Sequence, residues 1–145
     1  VKIELTNQSG YIVCEETVKS LVEQVREKEP EIPENLSIVF VDAEAIAELN
    51  RKYYRRDGET DVLAFDYENN FAEIILNPSR LEKQAKRLGH SVGYEAGAVL
   101  IHGLLHLAGY DHTEPGGEPE HFRRQRELGE KLITGELLEA GEEKQ

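Results

Sequence analysis

The chain opens on alternation. Val1, Ile3 and Leu5 are separated by Lys2 and Glu4, the period-two pattern of a half-buried strand, and Asn7 to Gly10 then supplies turn residues. From Glu15 to about Glu29 the apolar positions are Val18, Leu21, Val22 and Val25, a helical spacing that stops before Pro30. Pro30-Glu31-Ile32-Pro33 reads as a connector and Leu36 to Val41 as a compact apolar strand. Asp42 is placed to cap a helix with Ala45, Ile46, Leu49 and Tyr53 on its inner side. A charged loop, Arg55 to Thr60, leads into a strand at Asp61 to Phe65, and a hairpin across Asn69-Asn70 joins it to Phe71 to Leu76. Asn77-Pro78 opens a helix to about Leu88, with proline at the first position, where its missing N–H costs nothing. A long apolar helix follows from about Gly93. A turn-rich loop, Thr113 to Pro119, then precedes a last amphipathic helix from about Glu120 to Ile133, with Leu128, Leu132 and Ile133 as its core residues. The tail after Gly141 is expected to fray.

Strands and helices thus come as βαβαββ followed by three helices. That order predicts the α+β class: a four-stranded mixed sheet packed by about five helices, in one domain over residues 1–145. There is no internal repeat, no linker, no P-loop and no GxGxxG, so no nucleotide cofactor is expected.

Composition adds little to the fold but narrows the setting. Hydrophobic residues at 39% and charged residues at 32% are ordinary for a globular domain. No apolar run approaches the ~20 residues of a membrane span, and the N-terminus lacks the layout of a signal peptide. The single cysteine, Cys14, has no internal disulfide partner and reads as a buried or idle thiol. A cytoplasmic protein with no membrane partner is the expectation. The net charge of −12 argues against nucleic-acid binding by bulk electrostatics. Positive charge is clustered, however, at Arg51, Lys52, Arg55 and Arg56, at Lys83, Lys86 and Arg87, and at Arg123, Arg124 and Arg126. A local basic surface on an acidic protein still holds a phosphate chain.

The chemistry concentrates in the run His102-Gly103-Leu104-Leu105-His106-Leu107-Ala108-Gly109-Tyr110-Asp111-His112, which holds three of the chain's five histidines. His102 and His106 fall at i and i+4 on one helical face, about 5–6 Å apart at Cβ. Gly109 sits where the helix ends, because glycine takes a left-handed C′ conformation without a Cβ penalty. The chain then turns and brings His112 toward the other two. Catalytic zinc uses three protein ligands of this kind and keeps a fourth position for water, whose pKa it lowers to about 7. The metal site is therefore expected at the end of a central helix, with one Zn2+ per chain on His102, His106 and His112. The spacing equals that of the metzincin proteases, H-E-x-x-H-x-x-G-x-x-H, but Gly103 stands where those enzymes carry the general base, and the chain has no methionine for their Met-turn. Of the remaining histidines, His90 is expected to cap a helix or face solvent, and His121 to lie on the surface. Tyr110 is expected to pack the turn.

The histidine run resembles the signature of the YbeY family of bacterial metal-dependent endoribonucleases. Leu49-Asn50 through Asp57, followed by Thr60-Asp61-Val62-Leu63-Ala64-Phe65, resembles that family's second motif, and length and element order agree over nearly the whole chain. The resemblance implies a zinc-dependent single-strand-specific endoribonuclease acting in ribosomal RNA processing and ribosome quality control. It implies single-stranded or ribosomal RNA as the partner, and ribosomal small-subunit proteins as candidate partners. His102, His106 and His112 match the metal ligands. The family usually reads Tyr-Arg-Gly after the Leu-Asn helix end, its arginine lining the cleft. Counted without gaps, Tyr54 takes the arginine's place and Arg55 the glycine's. Glu59, Ala64, Asp66 and Ala72-Glu73 depart from the usual proline, serine, proline and Gly-Asp.

Arg55, or Arg56 beside it, is the candidate to steady the phosphate, since a guanidinium pairs two oxygens at once as charge builds on them. Asp111 is the candidate acid–base residue, against the reading of a hydrogen bond to a ligand or a helix-end cap. Glu73 is a further candidate for that step, and the RNA's own 2′-hydroxyl is an alternative nucleophile, with the zinc then serving chiefly as Lewis acid. Two rival functions stay open: a zinc hydrolase of peptide or amide substrates, and a non-enzymatic ribosome assembly factor with a structural metal.

Overall fold

Alternate side chains of the central strands set two faces of one sheet, and each face recruits its own helices. A computed structural model describes residues 2–110, 117–133 and 137–139. In chain order the elements are β1 (Lys2–Asn7), β2 (Ile12–Val13), α1 (Glu15–Lys28), β3 (Asn35–Phe40), α2 (Ala43–Tyr54), β4 (Val62–Glu68), β5 (Phe71–Leu76), α3 (Pro78–Leu88), α4 (Val92–Leu107), α5 (Gly117–Leu132) and β6 (Leu138–Glu139). The main sheet has the order β1-β3-β5-β4, with β1, β3 and β5 parallel and β4 antiparallel on the edge. This is the mixed four-stranded α+β architecture read from the sequence.

On one face Leu36, Ile38 and Phe40 of β3 and Ala72, Ile74 and Leu76 of β5 are buried with Val18, Val22 and Val25 of α1 and Leu100, Ile101 and Leu104 of α4. On the other, Val41, Ile46, Leu63 and Ile75 form a smaller cluster under α2. Helix α4 packs against α1, α3, α5, β4 and β5. That enclosure explains why it is apolar on nearly every side, as a helix surrounded by protein must be. Caps fix its start and that of α2: Ser91 Oγ accepts from Tyr94 N–H at 3.0 Å, and Asp42 Oδ1 from Ala45 N–H at 2.9 Å.

Several expectations need correction. Tyr53 does not face inward from α2 but is 57% exposed. Of the two readings of Cys14, buried or idle, burial is ruled out, since the thiol is exposed. α5 begins at Gly117, inside the stretch read as loop. A second, two-stranded sheet pairs β2 with β6, and Cys14 N–H donates to the Leu137 carbonyl at 2.8 Å beside it. Strands of two residues are too short to show a period.

Candidate functional site

Helix α4 delivers His102 and His106 one turn apart and then stops abruptly. Gly109 has φ 108°, its N–H donates to the His106 carbonyl at 3.1 Å, and Tyr110 N–H donates to the Leu105 carbonyl at 3.1 Å. These two bonds are the Schellman arrangement. Tyr110 then packs against the core cluster that contains Leu105, and its hydroxyl donates to Glu29 Oε2 at 3.1 Å. Arg124 Nε of α5 donates to the same carboxylate oxygen at 2.7 Å, so the turn is tied to both α1 and α5. Asp111 and His112 lie outside the described residues.

His102 is held from α5. Its Nδ1–H donates to Gln125 Oε1 at 2.8 Å, which puts the ring lone pair on Nε2. His121 stacks on the His102 ring with centroids 4.2 Å apart and planes 8° from parallel, and its Nε2–H donates to the His102 carbonyl at 3.1 Å. His121 is fully buried, contrary to the surface position expected for it. The reason is periodicity: His121, Gln125, Leu128 and Leu132 fall at helical spacing, so the histidine shares the face that α5 turns to α4. His90, by contrast, sits beyond the C-terminus of α3, half-buried, with Nε2 2.5 Å from Oε1 of the buried Glu95.

Beside α4 lies a cleft of about 480 Å³, lined by His102, Gly103 and His106, by Val62, Leu63 and Ala64 of β4, and by Asn50, Tyr54, Arg56 and Thr60. A Cβ at Gly103 would meet Ile74 at 3.4 Å and Val62 at 3.7 Å, ordinary van der Waals contact where α4 lies against β4 and β5. Glu73 belongs to the opposite face, turned from α4 by the pleat; its carboxylate accepts from Tyr67 and Ser37.

Two buried asparagines clamp the loop that closes the cleft. Asn50 Nδ2 donates to the Gly58 carbonyl at 3.1 Å, and Asn77 Nδ2 to Glu59 Oε1 at 2.8 Å and the Thr60 carbonyl at 3.1 Å. Glu59, standing where the family usually has proline, thus anchors the loop by a side-chain bond. Arg55 has φ 55°, the left-handed conformation that glycine adopts most readily, which supports the ungapped register with Arg55 in the family's glycine place. Arg56 is the arginine that the cleft wall contains, and Arg55 is not among its lining residues. Tyr54, in the place of the family's arginine, also lines the cleft, and its hydroxyl donates to the Ala64 carbonyl at 3.1 Å.

The donor set suits a divalent ion of imidazole preference: two histidines at i and i+4 border one cleft, one with its tautomer set from α5. Fold and site together define an α+β protein with a histidine-bearing helix end above a loop-closed cleft. The chain belongs to the YbeY family: the model described as Endoribonuclease YbeY matches residues 4–133. Among curated relatives, Endoribonuclease YbeY of Mycolicibacterium smegmatis is 35% identical over 153 residues, covering 94% of this chain and 86% of that protein. The protein of the same name from Mycobacterium tuberculosis is 33% identical with the same coverage. The solution structure of a Thermotoga maritima protein is similar with a TM-score of 0.61 at 28% identity, covering 90% of this chain and 88% of that one.

Proposed function

We propose that this protein is a metal-dependent endoribonuclease that cuts single-stranded RNA, with ribosomal RNA processing and quality control as its setting. The observation that carries the reading is the convergence of the two α4 histidines with Arg56 on one cleft, in a chain of this family. His102 and His106, with His112 as the third donor, would hold the ion, and zinc is one that imidazole ligands suit. When bound, such an ion supplies Lewis-acid polarisation and makes water acidic enough to ionise near neutral pH.

The protein's own groups do the rest. Arg56 pairs with the non-bridging phosphate oxygens as negative charge builds there, a task that Arg55, on the left-handed turn, leaves to its neighbour. Gln125 and His121 keep the His102 ring in its tautomer and orientation. Asn50 and Asn77 hold the loop, and with it Arg56, in place. Asp111 stands beside the third ligand in sequence and is the candidate for moving the proton. Gly103 stands where a peptidase of this histidine spacing carries its general base, and the chain has no methionine for a Met-turn, which counts against that activity.

The test is cleavage of a single-stranded ribosomal RNA fragment by wild type and His106→Ala, purified identically, with zinc and with chelator. Zinc-dependent cleavage lost in the variant is the expected result. Equal cleavage by both, or none by either while wild type holds one metal per chain, would turn the reading toward an assembly factor with a structural metal.

A further inference from the structure

The β4 edge carries an aromatic surface that the cleft chemistry does not use. Five of the chain's six tyrosines and four phenylalanines lie in it: Tyr53 and Tyr54 at the end of α2, Phe65 and Tyr67 on β4, and Phe71 on β5. From Tyr54 the rings run to Phe65, Tyr67 and Phe71 with centroids 5.7, 6.1 and 5.5 Å apart and planes within 29° of parallel at each step. Tyr53 meets Phe65 edge-on at 5.5 Å. Phe65 is half-buried beneath them, while Tyr53, Tyr54, Tyr67 and Phe71 are 57%, 43%, 51% and 38% exposed.

Packing does not require this. Exposed aromatic rings on an edge strand invite unwanted pairing, and edges are normally blunted with charge or proline. Here a bulge between Asp66 and Glu68 leaves Tyr67 without a cross-strand partner, and three successive left-handed residues, Glu68, Asn69 and Asn70, turn the hairpin. Tyr67 is braced by its hydroxyl bond to Glu73 at 3.1 Å. Tyr54 belongs to both the ladder and the cleft wall, so the two are continuous. Positive charge flanks that junction on a chain whose net charge is −12: Arg51 and Lys52 precede the tyrosine pair and Arg55 and Arg56 follow it, with Lys52 Nζ 5.3 Å from the Tyr53 ring centre.

We propose that the Tyr54–Phe65–Tyr67–Phe71 ladder is a stacking track for the unpaired bases of the RNA strand whose phosphate lies in the cleft. The inference rests on the nuclease reading and adds how the strand is held and why it must be single. Aromatic faces bind bases of any identity, while paired bases inside a duplex cannot lie on them. Cations at one end of the ladder meet the backbone.

The experiment measures binding apart from cleavage. A fluorescein-labelled unstructured RNA and a hairpin duplex of the same length are titrated by anisotropy into His106→Ala protein, alone and combined with Tyr67→Ala, Phe71→Ala, Tyr67→Phe or Phe71→Leu. Each alanine should weaken single-strand binding by roughly 5- to 150-fold. Tyr67→Phe should retain it, and Phe71→Leu, which keeps the apolar bulk, should not. Both sites are surface-exposed, and thermal melts check the fold. Alanine variants binding within about two-fold of the parent would overturn the track. So would equal binding of duplex, or a change in sedimentation alone, which would assign the surface to a second copy of the chain. Ladder-dependent binding without zinc-dependent cleavage by wild type would sustain the track and sink the nuclease. Cleavage lost in His106→Ala with ladder-independent binding would do the reverse.

Discussion

His102 is held by Gln125 on Nδ1, by the His121 ring on its face and by His121 Nε2 on its carbonyl. Removing such support from a metal-ligating histidine typically costs 10- to 100-fold in metal affinity. Gln125→Ala should therefore weaken zinc binding by about that factor in an equilibrium titration while leaving the fold intact. His121→Phe keeps the stack and loses the N–H, so it should fall between wild type and His121→Ala. Equal affinity in all four proteins would show that α5 packs against the ligand without positioning it. A second residue-scale prediction concerns tyrosines. Burial first, then a neighbouring carboxylate, raises the pKa of Tyr11 beside Glu82 and Tyr67 beside Glu73. Burial and Glu29 do the same for Tyr110, with Arg124 opposing. A group whose folded pKa is raised contributes stability that is whole below its unfolded pKa and lost as pH rises through the folded one. Urea midpoints should hold up to about pH 10, near the ordinary tyrosine pKa, and fall above it. Tyr11→Phe should flatten that fall; an unchanged slope would remove Tyr11 from the account.

At the scale of elements, the end of α4 decides where the chain goes after its second histidine. Gly109 at φ 108° occupies backbone that L side chains rarely adopt, so Gly109→Ala should cost about 1–2 kcal/mol. If the turn also aims the following residues, zinc affinity should drop with stability. A melt lowered without any loss of zinc would confine the glycine to a structural role. This stop was legible in advance, because histidine spacing and a glycine at the right offset obey helix rules that depend only on neighbours. The burial of His121 was equally encoded in its spacing from Leu128 and Leu132, but a lone histidine among charged residues looks like surface until α4 lies against it. The loop after α2 could be placed from the sequence but its shape could not be read. Its shape comes from Asn50 and Asn77, the latter contributed from beyond the hairpin, and no local pattern announces bonds across such separations. Sequence counting put Arg55 ahead of Arg56, but it is Arg56 that lines the cleft, while Arg55 takes the left-handed turn.

For the whole molecule, the order of strands and helices carried the fold because each long element repeats its period several times. The β2–β6 pair escaped because it has only two residues on each side. Charge is the other global property. On a chain of net charge −12, Arg51 and Lys52 at the end of α2 and Arg55 and Arg56 just after it form a local basic cluster, of which Arg56 lines the cleft. No helix among the described residues is long and apolar enough to cross a membrane. On the proposed reading, the central question is whether a metal on the α4 histidines would drive the chemistry or only the folding. The direct measurement is the RNA cleavage rate against bound zinc, titrated from chelated protein with thermal melts on the same samples. The rate should rise in proportion to occupancy and level off at one zinc per chain, while the metal-free protein stays folded. A rate indifferent to occupancy, or a metal-free chain that unfolds as a whole, would contradict that reading.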